Sequence, residues 1–241
     1  MRIIAGQRRG HKIDGPRDAS NTRPTSDMVR ESLFNILGEL VEGRTFLDLF
    51  AGTGAVGLEA LSRGAEYAIF VEMDRENVGL IHRNAAILRY ETKIRVRHAD
   101  AYRWTRTFQP LEDRPMVVFL DPPYRDYESK SNNLNLLIAN LEAKLPAGSA
   151  IALEAGRGIR DLQLSETDWD LRKYGNKRVA IRILPEAGRE NMEISLSDEA
   201  ASDSPPCEGG AGGVEDPSDT AVPTEEPPCI PPFQGGTEAR K

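Results

Sequence analysis

Thr45-Phe46-Leu47-Asp48-Leu49-Phe50 runs straight into Ala51-Gly52-Thr53-Gly54-Ala55-Val56-Gly57, and this junction decides the fold. The apolar run predicts a buried strand, and the glycines permit a tight turn. Leu58, Leu61 and Arg63 then carry a helix to a stop at Gly64. Strand, glycine turn and helix in that order open a parallel α/β unit. Gly52, Gly54 and Gly57 have the G-x-G-x-x-G spacing of nucleotide-binding loops, which alone is a weak signal.

The same alternation continues on the carboxyl side. Residues 67–71 predict a second strand ending in Glu72-Met73-Asp74, and residues 75–89 a helix. Residues 94–98 predict a third strand ending in Ala99-Asp100-Ala101, and a short helix leads to a fourth strand at 116–120. A helix over 134–145 is closed by Pro146, a fifth strand covers 149–154, and residues 169–173 and 178–184 form an antiparallel hairpin turned at Gly175-Asn176. This order implies a mostly parallel, doubly wound sheet with helices on both faces.

Before the first strand, Arg2-Ile3-Ile4-Ala5 and His11-Lys12-Ile13 pair as a short hairpin around Gly6-Gln7-Arg8-Arg9-Gly10. Arg8, Arg9, Lys12 and Arg17 make this end basic and suit it to phosphate contacts; the alternative is a solvated charged turn. A helix follows, capped by Thr25 or Ser26, with Met28, Val29, Leu33, Ile36, Leu37 and Leu40 as its apolar stripe.

Composition divides the 241 residues unevenly. Residues 191–241 hold 2 Lys or Arg against 11 Asp or Glu, half of the 16 prolines, and few large apolar side chains. Such a segment cannot bury enough surface to offset its ordering entropy, so residues 189–241 are expected to form an acidic disordered tail. Residues 1–190 carry 29 basic and 27 acidic residues, a net of +2, so the chain's net charge of −7 arises from the −9 of the tail. Both cysteines, Cys207 and Cys229, lie there too, which fits a reducing compartment and no disulfide framework. With no apolar run near the length of a membrane span or signal peptide, the expectation is a cytoplasmic protein. His11, His82 and His98 lack ligand spacing, and no metal site is expected.

Three acids stand at the ends of three successive strands: Asp48, Glu72 and Asp100. Asp48, just below the glycines, would repel a pyrophosphate and attract a cationic ligand. S-adenosylmethionine has an ammonium and a sulfonium, a ribose for Glu72 (about 20 residues past the glycines) and an adenine amine for Asp100. Phe50, Gly52, Gly54 and Ala101 complete the expected donor site. Each acid also has a plainer reading: Asp48 as a loop or helix cap, Glu72 as a solvated strand end, Asp100 as a cap of the following helix.

The acceptor site is expected at Val117-Val118-Phe119-Leu120-Asp121-Pro122-Pro123-Tyr124, a buried strand broken by paired prolines. The exocyclic amine of a nucleobase is a poor nucleophile because its lone pair is delocalised into the ring. Asp121 and the Pro122 carbonyl can accept its two N–H bonds and draw the nitrogen toward tetrahedral, while Tyr124 stacks on the extruded base. Direct methyl displacement then needs no metal and no covalent enzyme intermediate.

With these residues assembled, the chain resembles the RsmD-type methyltransferases, which modify a guanine N2 in bacterial 16S ribosomal RNA. The likeness covers roughly residues 1–185. It rests on Met1-Arg-Ile-Ile-Ala-Gly6, Arg23-Pro24-Thr25, Val29-Arg30-Glu31-Ser32-Leu33-Phe34-Asn35, Leu47 to Gly54, Val71 to Asp74, and Asp121 to Tyr124. The resemblance implies a class I, Rossmann-like methyltransferase fold with a seven-stranded sheet, ordered as a basic hairpin and donor-covering loop (1–24), a catalytic domain (25–188) and the tail (189–241). It further implies that Arg23 and Thr25 close over the donor's methionine end. The implied partner is 16S ribosomal RNA or the assembling small subunit, approached by a monomer. The acidic tail departs from the family pattern and is expected to compete with RNA for the basic face. Two alternatives share the motifs: a DNA adenine-N6 methyltransferase, which lacks room here for a target-recognition insert, and a non-catalytic RNA-binding assembly factor.

Overall fold

Strand β1 (Thr45–Leu49) is buried along most of its length because it lies inside the sheet. Leu47 faces Ile69 of β2 (Tyr67–Glu72) on one side and Val118 of β4 (Val117–Leu120) on the other, both parallel. Adding β3 (Ile94–His98), β5 (Ala150–Ala155), β6 (Asp170–Tyr174) and β7 (Lys177–Ile183) gives seven strands in the order β3-β2-β1-β4-β5-β7-β6. Strands β1 to β5 are parallel; β7 runs antiparallel to both β5 and β6. This computed structural model describes residues 1–16, 27–110, 113–155, 162, 164, 168–174 and 177–185. The expected sites Arg17, Arg23 and Thr25, the turn at Gly175-Asn176 and the acidic tail lie outside them.

The strand order reverses between β1 and β4, and this opens a crevice at the carboxyl ends of the strands. Side chains alternate across the sheet. Phe46, Phe70 and Phe119 pack toward α1 (Asp27–Leu37), α2 (Ala55–Ser62) and α3 (Arg75–Leu88). Leu47, Val71 and Leu120 pack toward α4 (Ala101–Thr107), α5 (Tyr124–Ser129) and α6 (Ser131–Lys144). Among the described residues no helix is long and apolar enough to cross a membrane.

One expectation needs correction. Met28 does not join the apolar stripe of α1: it is 71% exposed, and Arg30 is fully buried instead. The rotation has an electrostatic cause, because Glu59 of α2 lies within 3.9 Å of Arg30 Nε, Asp27 within 2.9 Å of Nη2, and the carbonyl of Arg2 accepts from Nη2. The proline corner leads straight into a helix. Tyr124 opens α5 directly, since a proline-fixed φ suits a helix entry and the Pro123 carbonyl accepts from the Asp126 amide at 2.8 Å.

The amino-terminal hairpin forms: Met1 and Ile13 bond each other in both directions (3.1 and 3.0 Å), the Ile3 amide donates to the His11 carbonyl at 3.0 Å, and the Gly10 amide donates to the Ile3 carbonyl at 2.8 Å. One bridge joins Arg2 to Lys12, and the turn is a short 3-10 segment, Gly6–Arg8. It is also held from outside. Buried Glu59 accepts from the amides of Ile4 (2.7 Å) and Ala5 (2.9 Å), Ser62 Oγ from the amide of Arg8, and Asn84 Oδ1 from the amide of Asp14. A Cβ at Gly6 would lie 1.9 Å from the Ser62 carbonyl oxygen, so only glycine permits this approach.

Candidate active site

A cavity of about 570 Å³ opens at the carboxyl ends of β1, β2 and β4. The fold brings Asp48, Phe50, Gly52, Glu72, Asp100 and Ala101 to one part of its wall and Asp121, Pro122 and Tyr124 to another. Its size lies within the range of small-molecule and cofactor sites. Of the expected donor residues that are described, Gly54 alone is missing from the wall. It sits under the loop at φ +76°, where a Cβ would meet Ile81 at 3.0 Å, so it shapes the turn rather than touching a ligand.

Each acid is fixed by backbone amides at its strand end. Asp48 Oδ2 accepts from Gly57 in the first turn of α2 at 3.0 Å. Glu72 accepts from Gly52 at 2.6 Å and from Asp74 at 2.7 Å, tying β2 to the glycine loop. Asp100 Oδ1 accepts from Arg103 at 3.0 Å and caps α4. The plainer capping readings of Asp48 and Asp100 therefore hold alongside their position on the cavity wall.

The electrostatics distinguish Asp48. Burial pushes its carboxyl up to about 8, opposed by the Gly57 amide and assisted by the charges of Asp121 and Glu72. A site that crowds acids around a buried carboxyl is relieved by a cation. A pyrophosphate would worsen it. These donors therefore fit a ligand that is cationic near Asp48 and carries hydroxyls and an amine for Glu72 and Asp100.

Phe50 holds φ +66°, an uncommon conformation for a non-glycine residue, where β1 gives way to the loop. Its ring meets Tyr102 edge-on at 5.4 Å. On the acceptor side Tyr124 is 58% exposed, with its ring 6.5 Å from that of Tyr127. Tyr127, buried below, donates to the Glu154 carbonyl at 2.6 Å and so fastens α5 to β5.

Sequence reasoning missed one cluster. Buried Asp126 accepts from the Tyr102 hydroxyl at 2.9 Å and from Lys130 Nζ at 3.1 Å, while Lys130 Nζ lies 5.1 Å from the centre of the Tyr102 ring. These contacts join α4, beside the donor acids, to α5, which carries Tyr124. The spacing of Asp126 and Lys130 was visible as an i,i+4 pair, but nothing in the sequence places Tyr102 beside it.

The tip of the basic hairpin is absent from the cavity wall, whereas Met1 at its base and Pro16 just beyond it line the cavity. Arg9 and Lys12 are exposed, whereas Arg8 is half-buried with its guanidinium 5.6 Å from the centre of the Tyr90 ring. Arg8 therefore has a packing role that the sequence did not reveal.

Comparisons with known proteins give a consistent set of likenesses. The model of the family described as "Conserved hypothetical protein 95" matches residues 1–183. The chain is 37% identical over 186 residues to "Putative rRNA methyltransferase YlbH" of Bacillus subtilis (strain 168), covering 75% of this chain and 97% of that one. It is 44% identical over 126 residues to ribosomal RNA small subunit methyltransferase D of Escherichia coli (strain K12), covering 52% of this chain and 61% of that one. The solved structure of yhhF from Escherichia coli superposes with a TM-score of 0.63 at 32% identity, covering 77% of this chain and 98% of that one.

Proposed function

This chain belongs to the RsmD family of ribosomal RNA methyltransferases, and from that premise we propose that it methylates the exocyclic N2 amine of one guanine in 16S ribosomal RNA, using S-adenosylmethionine. The observation that carries this reading is the shared cavity, which sets the buried carboxyl of Asp48 and the Asp121-Pro122-Pro123-Tyr124 corner on the walls of one space.

In this reading Asp48 faces the cationic end of the donor, Glu72 takes the ribose hydroxyls, and Asp100 accepts from the adenine amine. Phe50 and Ala101 supply apolar wall, Gly52 lets the loop approach closely, and Arg23 and Thr25 cover the methionine end. When bound, S-adenosylmethionine supplies an electrophilic methyl group on a positively charged sulfur. Asp121 and the Pro122 carbonyl accept the two N–H bonds of the guanine amine and aim its lone pair into the cavity. As the N–C bond forms and the S–C bond breaks, the amine must lose one proton, and in this reading Asp121 takes it and passes it to water. Tyr124 stacks on the base and fixes its plane. Arg9 and Lys12, with Arg8 and Arg17, contact RNA phosphates. The proposed acting unit is a monomer.

The test is mass mapping of modified nucleotides in ribosomal RNA from cells with and without the protein. One N2-methylguanine in 16S RNA should vanish with the gene. An unchanged 16S map, or loss of N6-methyladenine from DNA instead, overturns the reading.

A further inference from the structure

We infer that the outer edge of the sheet, β3 with the start of α4, is a second phosphate-binding surface that carries RNA backbone from the hairpin to the acceptor corner. The inference rests on the reading of the protein as an RNA methyltransferase. Between residues 89 and 106 there are six basic residues, Arg89, Lys93, Arg95, Arg97, Arg103 and Arg106, against Glu91 and Asp100. Asp100 is committed to the cavity wall and to the cap of α4. None of the six lies within salt-bridge distance of a carboxylate among the described residues, whereas Arg30, Arg63, Arg114, Arg172 and Arg182 all do.

Placement makes this more than a charge run. Strand β3 is the last strand on its side of the sheet. Ile94 and Val96 pack into the core on the α3 side, so Arg95 and Arg97 project together from the opposite face. There they lie close enough to Tyr67 to act on its hydroxyl electrostatically, and they repel each other. Both are half-buried, and burial and the neighbouring charge pull Arg97 below its ordinary value. Two like charges held side by side and partly withdrawn from water are costly unless an anion completes them. Tyr67 and Trp104, half-buried on the same face, are committed to packing, with the Tyr67 hydroxyl donating to the Ile94 carbonyl at 3.1 Å and the Trp104 ring stacked on Phe108 at 4.7 Å, so this surface offers contacts to phosphate rather than to bases.

A path along β3 would run in parallel with the hairpin itself, whose base reaches the cavity wall through Met1 and Pro16. The hairpin turn is pinned to Ser62, at the far end of α2 from the glycine loop, and to Tyr90, just before β3. The basic turn thus lies at the amino-terminal pole of the strands and the cavity at the other. Strand β3 spans the gap, about 13 Å for five residues, from Tyr90 to Asp100.

A bland account exists: charged residues on an edge strand also prevent edge-to-edge aggregation. The test separates the two. Arg95→Gln/Arg97→Gln keeps the aliphatic stems and removes both charges; Arg103→Gln, on an exposed helix position, is a second variant with no packing to lose. Binding to unmodified 16S RNA, free and within small subunits, is followed across a salt series together with methyl-transfer kinetics. We expect the slope of log K against log salt to fall by about 1.4 for the double variant, with roughly 0.7 per lost contact to single-stranded phosphate. KM for RNA should rise about tenfold or more while kcat and donor affinity stay at wild-type values. An unchanged slope and KM in folded protein overturn the inference, and so does aggregation as the sole effect. A wild-type protein that binds with the expected slope yet transfers no methyl group rejects the functional reading instead.

Discussion

The amide of Gly57 donates to Asp48 Oδ2 across 3.0 Å, so the first turn of α2 holds the carboxyl that stands at the cavity wall. One amide does not offset burial, and the carboxyl is left at about 8. The ligand-free protein at neutral pH therefore carries this group mostly protonated, and a cationic donor favours the ionised form.

Donor binding should consequently release a proton. Affinity is expected to rise by up to tenfold per pH unit as pH approaches 8, then level off. Asp48→Asn should bind more weakly and lose this slope. Calorimetry in buffers of different ionisation heat reads the proton directly; a wild-type affinity flat between pH 6 and 8 rejects the assignment.

The same group sets a stability trend in the ligand-free protein. Its folded value is raised above the ordinary 3.8, so the folded chain keeps a proton that the unfolded chain has already lost. Stability attributable to Asp48 is full below about pH 4, falls as pH climbs, and is gone above about 8. Asp48→Asn should lack this decline, and thermal melts at pH 6 and 8 compare the two proteins.

Asp121→Ala should lower kcat by roughly a hundredfold or more, since it removes both an acceptor for the amine and the route for its proton. Donor binding should remain within a few-fold of wild type. Turnover close to normal would remove Asp121 from the mechanism.

Tyr124 is assigned a stacking role that its hydroxyl does not share. Tyr124→Phe should be nearly silent, whereas Tyr124→Ala should raise KM for RNA by roughly ten- to a hundredfold, from about 1–3 kcal/mol of lost stacking. Equal damage from both substitutions would point to the hydroxyl instead.

Glu59→Ala should destabilise the protein by roughly 3–5 kcal/mol, because it removes the buried carboxylate that pairs with Arg63 and faces Arg30, leaving Arg30 only the half-exposed Asp27 among the described carboxylates. Arg30 is fully buried, and its Nε and Nη1 already lack hydrogen-bond partners. The amides of Ile4 and Ala5 would lose their acceptor as well. Chemical denaturation measures the loss, and proteolysis near the hairpin should accelerate.

Much of this architecture was legible because it is local. Strand β1, the glycine turn and α2 are contiguous, and the acids end strands whose apolar runs are plain. What stayed hidden depends on residues distant in sequence. Arg30 reads as surface until Glu59, on another helix, is known to neutralise it, and that displaces Met28 outward. Arg8 looked free until Tyr90 came beneath it. Tyr102 and Asp126 belong to one cluster only because α4 and α5 meet across the crevice. Periodicity reports one element at a time and cannot register such meetings.

The hairpin's dependence on Glu59, Ser62 and Asn84 has a consequence during synthesis. At translation speeds of about 5–20 residues per second, its strands wait several seconds before the last of these anchors exists. Through that interval Ile3 and Ile13 have no core to enter, and the segment made earliest settles among the latest.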